Sequence, residues 1–467
     1  MTPNQYTPEE PISSIATALA PAALGIVRVS GKGCIELVSK VFSRPKALLE
    51  AAGNTLVYGW IQDKPGAAVE ARKIDEVMLA VYRAPKSFTG EDMVEIFCHG
   101  GPAVVMAVQN LMLKSGFRQA NRGEYTFRAF INGKTDLTRA EAVKEIIDSH
   151  TDVSRSHAAG RLAGALFTEI DDIKKLIVDT LAAIEVEIEY PEDEETIADS
   201  FDRSDIELAA SRLQALADSW KGEKLYQDGA RVVLAGRTNA GKSSLFNAIL
   251  KEERAIVSDI EGTTRDWLES WASINGIPVR LFDTAGLRQT SDVIEAQGVE
   301  ISRSLVHDAD VVLYLVDGTT GMNEEDQQFI DNCKEPLIVV YTKADASSLR
   351  AEGEAIHISS KTGAGLSELF AQIYGLLTAD LGGTGTRGAG STTERAQAGL
   401  GSARQKEAVS EALECVRHAL VSADDNYSLD AVVQDLEDAL DSLGEVTGDV
   451  TPDDVLGSIF ANFCVGK

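Results

Sequence analysis

The octapeptide Gly236-Arg237-Thr238-Asn239-Ala240-Gly241-Lys242-Ser243 fits GxxxxGK[ST], the pattern of a loop built to hold phosphate. Its glycines let consecutive backbone N–H groups turn toward phosphate oxygens, so the amides of Asn239, Ala240, Gly241 and Ser244 are candidate contacts. Lys242 is placed to balance charge on the β- and γ-phosphates, a catalytic as well as a binding role, and the Ser243 hydroxyl is a candidate Mg²⁺ ligand. Further along, Asp283-Thr284-Ala285-Gly286 follows the apolar run Val279 to Phe282. There an Asp can reach the magnesium shell and a glycine N–H can meet the γ-phosphate.

Between the two lies Gly262-Thr263-Thr264-Arg265-Asp266, in the position of a switch loop that folds over Mg²⁺ through a Thr hydroxyl, and Thr264 is the chosen ligand. Base choice rests on Thr342-Lys343-Ala344-Asp345 after the run Leu337 to Tyr341, because a carboxylate at Asp345 can accept both N1–H and N2–H₂ of guanine. Ser359-Ser360-Lys361 fits the remaining base-contact loop. The expected substrate is GTP with Mg²⁺. Thr342 departs from the Asn usual there, and Leu287 stands where a water-orienting Gln would follow Gly286.

These loops need a sheet to hold them. Val232 to Ala235, Val279 to Phe282, Val311 to Val316 and Leu337 to Tyr341 are apolar runs each followed by a turn-rich segment, which predicts a parallel α/β sheet with crossovers. Upstream, Gly25 to Val29 and Val77 to Val81 read as strands and Pro102 to Lys114 as a helix, hence a small α+β domain. Thr138 to Ser149, Ser154 to Tyr190, Arg203 to Lys221, Arg404 to Ala423 and Ser428 to Leu443 carry helical periodicity. The simplest arrangement inserts the P-loop domain into one all-α domain, after which Gly382 to Gly401 reads as a flexible linker. The expected boundaries are 1–130 (α+β), 131–225 (helical, first part), 226–378 (GTPase, mainly parallel sheet), 379–403 (linker) and 404–467 (helical, second part).

The 467 residues, 44% hydrophobic, are enough for several cores. With 73 acidic against 44 basic residues the chain repels polyanions at a distance, so an RNA partner would need a local basic cleft or a basic helper protein. The five cysteines lack CxxC pairing, which argues against a disulfide framework or a zinc site. An acidic, Pro-containing start and only short apolar runs predict a soluble cytoplasmic protein without a membrane span.

Gly262-Thr-Thr-Arg-Asp266, Asp283-Thr-Ala-Gly-Leu-Arg288, Cys464-Val-Gly-Lys467, Thr89-Gly-Glu-Asp92, His99-Gly-Gly-Pro102 and Arg128-Ala-Phe130 together resemble the MnmE (TrmE) family of bacterial tRNA wobble-uridine modification GTPases, over nearly the whole chain. The resemblance implies a homodimer formed by N-terminal domains that bind a formyl- or methylene-tetrahydrofolate. It carries folate contacts onto Arg28, Glu95, Lys134 and Lys467. It also implies a K⁺ ion where an arginine finger would otherwise act, caged by oxygens of Asn239, Ser258, Ile260 and Thr263, and Glu295 as the group orienting water. A flavin-dependent partner of the MnmG (GidA) type, in a heterotetramer, and tRNA complete the implied assembly. Cys464 is either a nucleophile near folate and RNA or a small packed hydrophobe.

Two further departures from the family pattern are Ala18 to Ala23, in place of a Gly-rich stretch, and Thr238, in place of Pro. The functional expectation is a K⁺-activated, dimerisation-dependent GTP hydrolase. With its partner it would add a carboxymethylaminomethyl-type group at C5 of the tRNA wobble uridine. The alternatives are a GTP-switched RNA-binding or ribosome-assembly module, and a nucleotide-gated dimerisation scaffold.

Overall fold

The computed structural model describes residues 10–63, 71–189, 203–252, 268–283, 304–346, 355–381, 398–424 and 429–466. The chain divides into two compact units. The first comprises Met1–Lys144, Ile170–Asp202 and Glu414–Lys467. Its sheet is built from β1 (Ile12–Ile15), β2 (Ala22–Ser30), β3 (Thr55–Asp63), β4 (Arg72–Tyr82), β5 (Met93–Gly100) and β6 (Arg118–Gln119), in the order β3-β4-β5-β2-β1-β6. All pairs are antiparallel except β1 with β6.

Alternation along these strands separates two faces. Val27, Val29, Val77, Leu79, Val81, Val94, Ile96 and Cys98 are buried with the helices Cys34–Lys40 and Pro102–Lys114. The opposite face leaves Leu24, Leu56, Tyr58 and Met78 exposed by 59%, 62%, 54% and 46%. The expected strands at Gly25 to Val29 and Val77 to Val81 and the helix Pro102–Lys114 are all present.

The chain's far end returns to this unit. Helix Asp453–Ala461, whose short apolar stretch carries little periodicity of its own, packs Phe460 edge-on against Phe127 of helix Glu124–Ile131, centroids 5.3 Å apart. Gly123, at φ 67, lets the Phe460 carbonyl approach within 2.5 Å of where a Cβ would sit. Val465 then bridges to Arg122.

The second unit comprises Glu145–Glu169 and Arg203–Leu413. Its sheet runs β12 (Ile356–His357), β11 (Leu337–Thr342), β10 (Val311–Asp317), β7 (Ala230–Gly236), β9 (Ile277–Asp283), β8 (Leu268–Ile274). Val232 and Leu234 join one apolar cluster while Val233 and Ala235 join another, so the strand is covered on both faces and reads as a continuous apolar run. The sheet is mixed rather than wholly parallel: β8 pairs antiparallel with β9 through the Asn275-Gly276 turn, both at positive φ (49° and 89°).

Periodicity over Ser154 to Tyr190 predicts one long helix, whereas two are found, Asp152–Ala163 and Ala165–Glu189, divided by Gly164 as a left-handed C-cap. The expected linker Gly382 to Gly401 falls mostly outside the described residues, but its end is pinned. Leu400 is fully buried, Arg161 donates to the Gly399 carbonyl at 3.2 Å, and Gln227 donates to that of Gly401 at 2.8 Å. Arg161 is itself 1% exposed between Glu145 and Glu223, at 2.6 and 2.8 Å. Among the described residues no helix is long and apolar enough to cross a membrane, and no group of three or more His, Cys, Asp or Glu is placed to hold a metal.

Candidate nucleotide site

The eight-residue loop leaves the C-terminal end of β7, which lies between β10 and β9, where open α/β sheets hold their ligands. Three of its residues, Gly236, Asn239 and Gly241, have positive φ (135°, 64° and 93°). A Cβ on Gly236 would collide with the Leu315 carbonyl of β10, so this position needs glycine for both its torsion and its neighbour. Helix Lys242–Glu252 starts at once, so the loop delivers its amides to a helix N-terminus. Asn239, Ser243 and Ser244 are exposed, Gly241 is half-buried and Ala240 is buried.

Lys242, 7% exposed, donates from Nζ to the carbonyls of Gly236 at 2.7 Å and Arg237 at 2.8 Å, so its ammonium lies across the loop rather than out in solvent. Ser243 Oγ donates to Asp283 Oδ2 at 2.7 Å, and Asp283 is 4% exposed at the end of β9. A hydroxyl and a carboxylate brought together beside the loop are the hard oxygen donors that Mg²⁺ takes, so the residues present fit that ion.

The base-contact candidates converge from two strand ends. Asp345 accepts from Ser359 Oγ at 2.8 Å, and that hydrogen bond, with nearby Lys361, holds its carboxyl below the ordinary carboxylate range. Ser360 is half-buried and Lys361 exposed, on the same loop as Ser359. Lys343, at φ 56, donates from Nζ to Asp317 Oδ2 at 2.6 Å. Burial opposes ionisation of Asp317, yet hydrogen bonds from Lys343 and Thr319 outweigh it and bring its carboxyl down to about 2.

Thr342, at the end of β11, faces inward. It is 2% exposed, and its hydroxyl donates to the Ala240 carbonyl at 2.8 Å, with the Val316 carbonyl a longer, shared acceptor at 3.3 Å. The residue in the Asn position thus ties the phosphate loop to the end of β10. The motif alone carried no sign of this, because a threonine's partner depends on the approach of strands distant in sequence.

A second tie escaped sequence reasoning altogether. Arg237 Nε donates to Asp326 Oδ1 at 3.0 Å and its NH2 to the Gly321 carbonyl at 3.3 Å. The only local signal was the Asn323–Asp326 capping box that starts helix Glu324–Asn332.

In the first unit, Arg28 on β2 and Glu95 on β5 are cross-strand partners and form an ion pair, Nε at 2.9 Å and NH2 at 2.6 Å from Oε1. Arg28 NH1 also donates to the Gly466 carbonyl at 3.1 Å, so the C-terminal Cys464-Val-Gly tail ends beside this pair. Gly466, at φ 95, is only 2.6 Å, measured from a notional Cβ, from the Ile15 carbonyl. The Phe88 and Tyr125 rings lie 5.8 and 5.6 Å from the guanidinium carbon. Lys134 is exposed and donates to the Pro85 carbonyl at 3.1 Å. Cys464 is exposed, so the packed-hydrophobe reading of this thiol does not hold.

Ser258, Ile260, Thr263, Thr264, Thr284, Ala285, Gly286, Glu295 and Lys467 lie outside the described residues. Of the expected K⁺ cage only Asn239 is therefore among the described residues, and the switch ligand Thr264 and the water-orienting Glu295 are not.

The profile of the MnmE helical domain matches residues 137–464, and that of the GTP-binding protein TrmE N-terminus matches residues 11–134. The tRNA modification GTPase MnmE of Treponema denticola is 51% identical over 480 residues, covering 99% of both chains. Those of Treponema pallidum and Borrelia turicatae are 42% and 39% identical, each over 99% or more of this chain and all of its relative. The GxxxxGK[ST] loop at the end of β7, the Ser243–Asp283 contact and the Asp345–Ser359 contact, on a sheet with β8 antiparallel, thus accompany similarity over 99% of the chain, and the chain belongs to the MnmE family of tRNA modification GTPases.

Proposed function

We propose that this GTP hydrolase is activated by K⁺, works as a homodimer, and acts with a flavin-dependent partner of the MnmG type. Together they would add a carboxymethylaminomethyl-type group at C5 of the tRNA wobble uridine, with a tetrahydrofolate supplying the one-carbon unit. The observation that carries the nucleotide part is the Ser243–Asp283 contact of 2.7 Å at the mouth of a left-handed loop. Ser243 and Asp283 would hold Mg²⁺, with Thr264 from the switch segment, and the ion would neutralise charge spread across the β- and γ-phosphates. Lys242 would exchange its two carbonyl partners for phosphate oxygens, while the amides of Asn239 to Ser244 orient the chain of phosphates. Asp345, kept ionised by Ser359, would accept the two guanine donors.

Asn239 supports the K⁺ reading, since it is exposed and stands at positive φ within the loop. Ser258, Ile260 and Thr263 would complete the cage, and Glu295 would orient water. The Arg28–Glu95 pair with the Gly466 carbonyl supports a folate site. It brings a charged pair, a ring and the C-terminal tail together, with Lys134 and Lys467 as the further cations.

The exposed apolar face of the first unit supports self-association. Tyr58 and Met78, both exposed, continue in one cross-strand line into the half-buried Phe97 and Ile26 over four strands, and an apolar stripe of this kind marks an interaction surface. We also propose five segments, 1–130, 131–225, 226–378, 379–403 and 404–467, the fourth a linker whose Gly399–Gly401 end is packed.

Mass spectrometry of tRNA nucleosides from cells lacking the protein tests the modification. Loss of the C5 substituent, restored by the intact gene, is expected, and an unchanged nucleoside profile refutes it. Replacing KCl by NaCl at equal ionic strength tests the cage: hydrolysis slows at least about tenfold on this reading, and an equal rate removes K⁺.

A further inference from the structure

Lys242 is the loop's own internal fastener, because its ammonium holds the carbonyls of Gly236 and Arg237. When it turns to a triphosphate those two bonds are given up, and the loop, with three left-handed residues, must be held by something else. Two side-chain anchors from outside the loop are available. Thr342 holds Ala240, as described above. The other is Asp326.

Asp326 is fully buried at the third position of helix Glu324–Asn332. Its Oδ2 accepts from the Asn323 backbone N–H at 3.0 Å and closes the capping box, which any short acceptor could do. Its Oδ1 does something else, accepting from Arg237 Nε at 3.0 Å and from Tyr314 OH at 2.9 Å. Burial, with the neighbouring Asp326, pushes the Tyr314 phenol up, so it stays a donor. Arg237 also reaches the Gly321 carbonyl, which fixes the guanidinium plane from two directions. A buried carboxylate with one cation partner is a rigid, costly arrangement, and here it ends on the second residue of the phosphate loop.

We infer that Asp326 is a positioning residue for GTP: through Arg237 it holds the entry of the phosphate loop in its binding shape while Lys242 is engaged by phosphate. The inference rests on Gly236–Ser243 being the phosphate loop. It predicts that loosening the anchor weakens nucleotide binding and leaves the chemical step, which depends on Lys242 and the metal oxygens, nearly intact.

The test uses the full chain with Mg²⁺ and compares Asp326→Asn, Arg237→Met, the double variant and Asn323→Ala. Asp326→Asn and Arg237→Met should each raise the Kd and KM for GTP on the order of tenfold with kcat within about twofold. The double variant should be no worse than the poorer single one, since both break the same link. Asn323→Ala removes the cap of the same helix without touching Arg237, so it should lower the melting temperature and leave the GTP Kd unchanged.

Equal loss of GTP affinity in Asn323→Ala, additive losses in the double variant, or a fall in melting temperature alone for Asp326→Asn would overturn the inference. Lys242→Ala separates the premise from the inference: retained GTP binding there refutes the phosphate loop itself, whatever Asp326 does.

Discussion

Thr342→Val changes one atom type and almost no volume, so it isolates the tie between the phosphate loop and the base-contact strand. Thr342 is 2% exposed, and its hydroxyl donates at 2.8 Å to the Ala240 carbonyl, with the Val316 carbonyl a longer, shared acceptor at 3.3 Å. Valine leaves the Ala240 carbonyl without that donor in a buried place, which costs about 1–3 kcal/mol, and the added methyl returns part of it. A net loss of about 1–2 kcal/mol corresponds to a melting shift of roughly 2–8 °C for a domain of about 150–250 residues. Calorimetry with and without saturating GDP identifies the relevant transition, because only the nucleotide-binding domain gains stability from the ligand. The GTP affinity should fall by roughly three- to tenfold, since part of the lost energy is loop order. Thr342→Ser keeps the hydroxyl and should restore most of both quantities. An unshifted transition with unchanged affinity in the Val variant, or a Ser variant as weak as Val, would show that the hydroxyl does not hold the loop.

Asp345→Asn should shift preference from GTP toward xanthosine triphosphate in a competition assay; an unaltered ratio removes Asp345 from base recognition. Arg161→Met removes the cation that Glu145 and Glu223 share, with His157 Nδ1 still 2.9 Å from Glu223, and should destabilise the chain by about 3–5 kcal/mol in urea unfolding; a loss under about 1 kcal/mol would mean those carboxylates are otherwise satisfied. The Asp317–Lys343 pair gives a pH signature. Its carboxyl is depressed from 3.8 to about 2, so its stabilisation is fully present above the unfolded value and disappears as pH falls through about 2. The melting difference between the natural chain and Asp317→Asn should therefore persist at about pH 4 and above and shrink toward pH 2, and a difference constant down to pH 2 contradicts the pairing. Cys464→Ser should abolish wobble modification in cells if the exposed thiol is a nucleophile, and full retention would leave it without a chemical role.

Local chemistry was legible without any knowledge of the fold. Gly236 and Gly241 stand where only positive φ serves, Lys242 and Ser243 follow at once, and β7, β9, β10 and β11 appear as apolar runs because both their faces are covered. Helix Pro102–Lys114 could be read for the same reason, its period matching one buried side. Other features depend on long-range packing. Strand β8 and helix Asp453–Ala461 carry weak patterns of their own and are fixed by the β9 edge and by Phe127. The break at Gly164 is invisible to a periodicity that runs on through it.

The ties that shape the site belong to this second kind. Thr342 meets Ala240 across 102 residues, Arg237 meets Asp326 across 89, and Arg28 meets Gly466 across 438. Such partners are set by strand register and the packing of distant elements. A residue's type shows what it can bond, and only the folded chain brings the other half of the bond within about 3 Å.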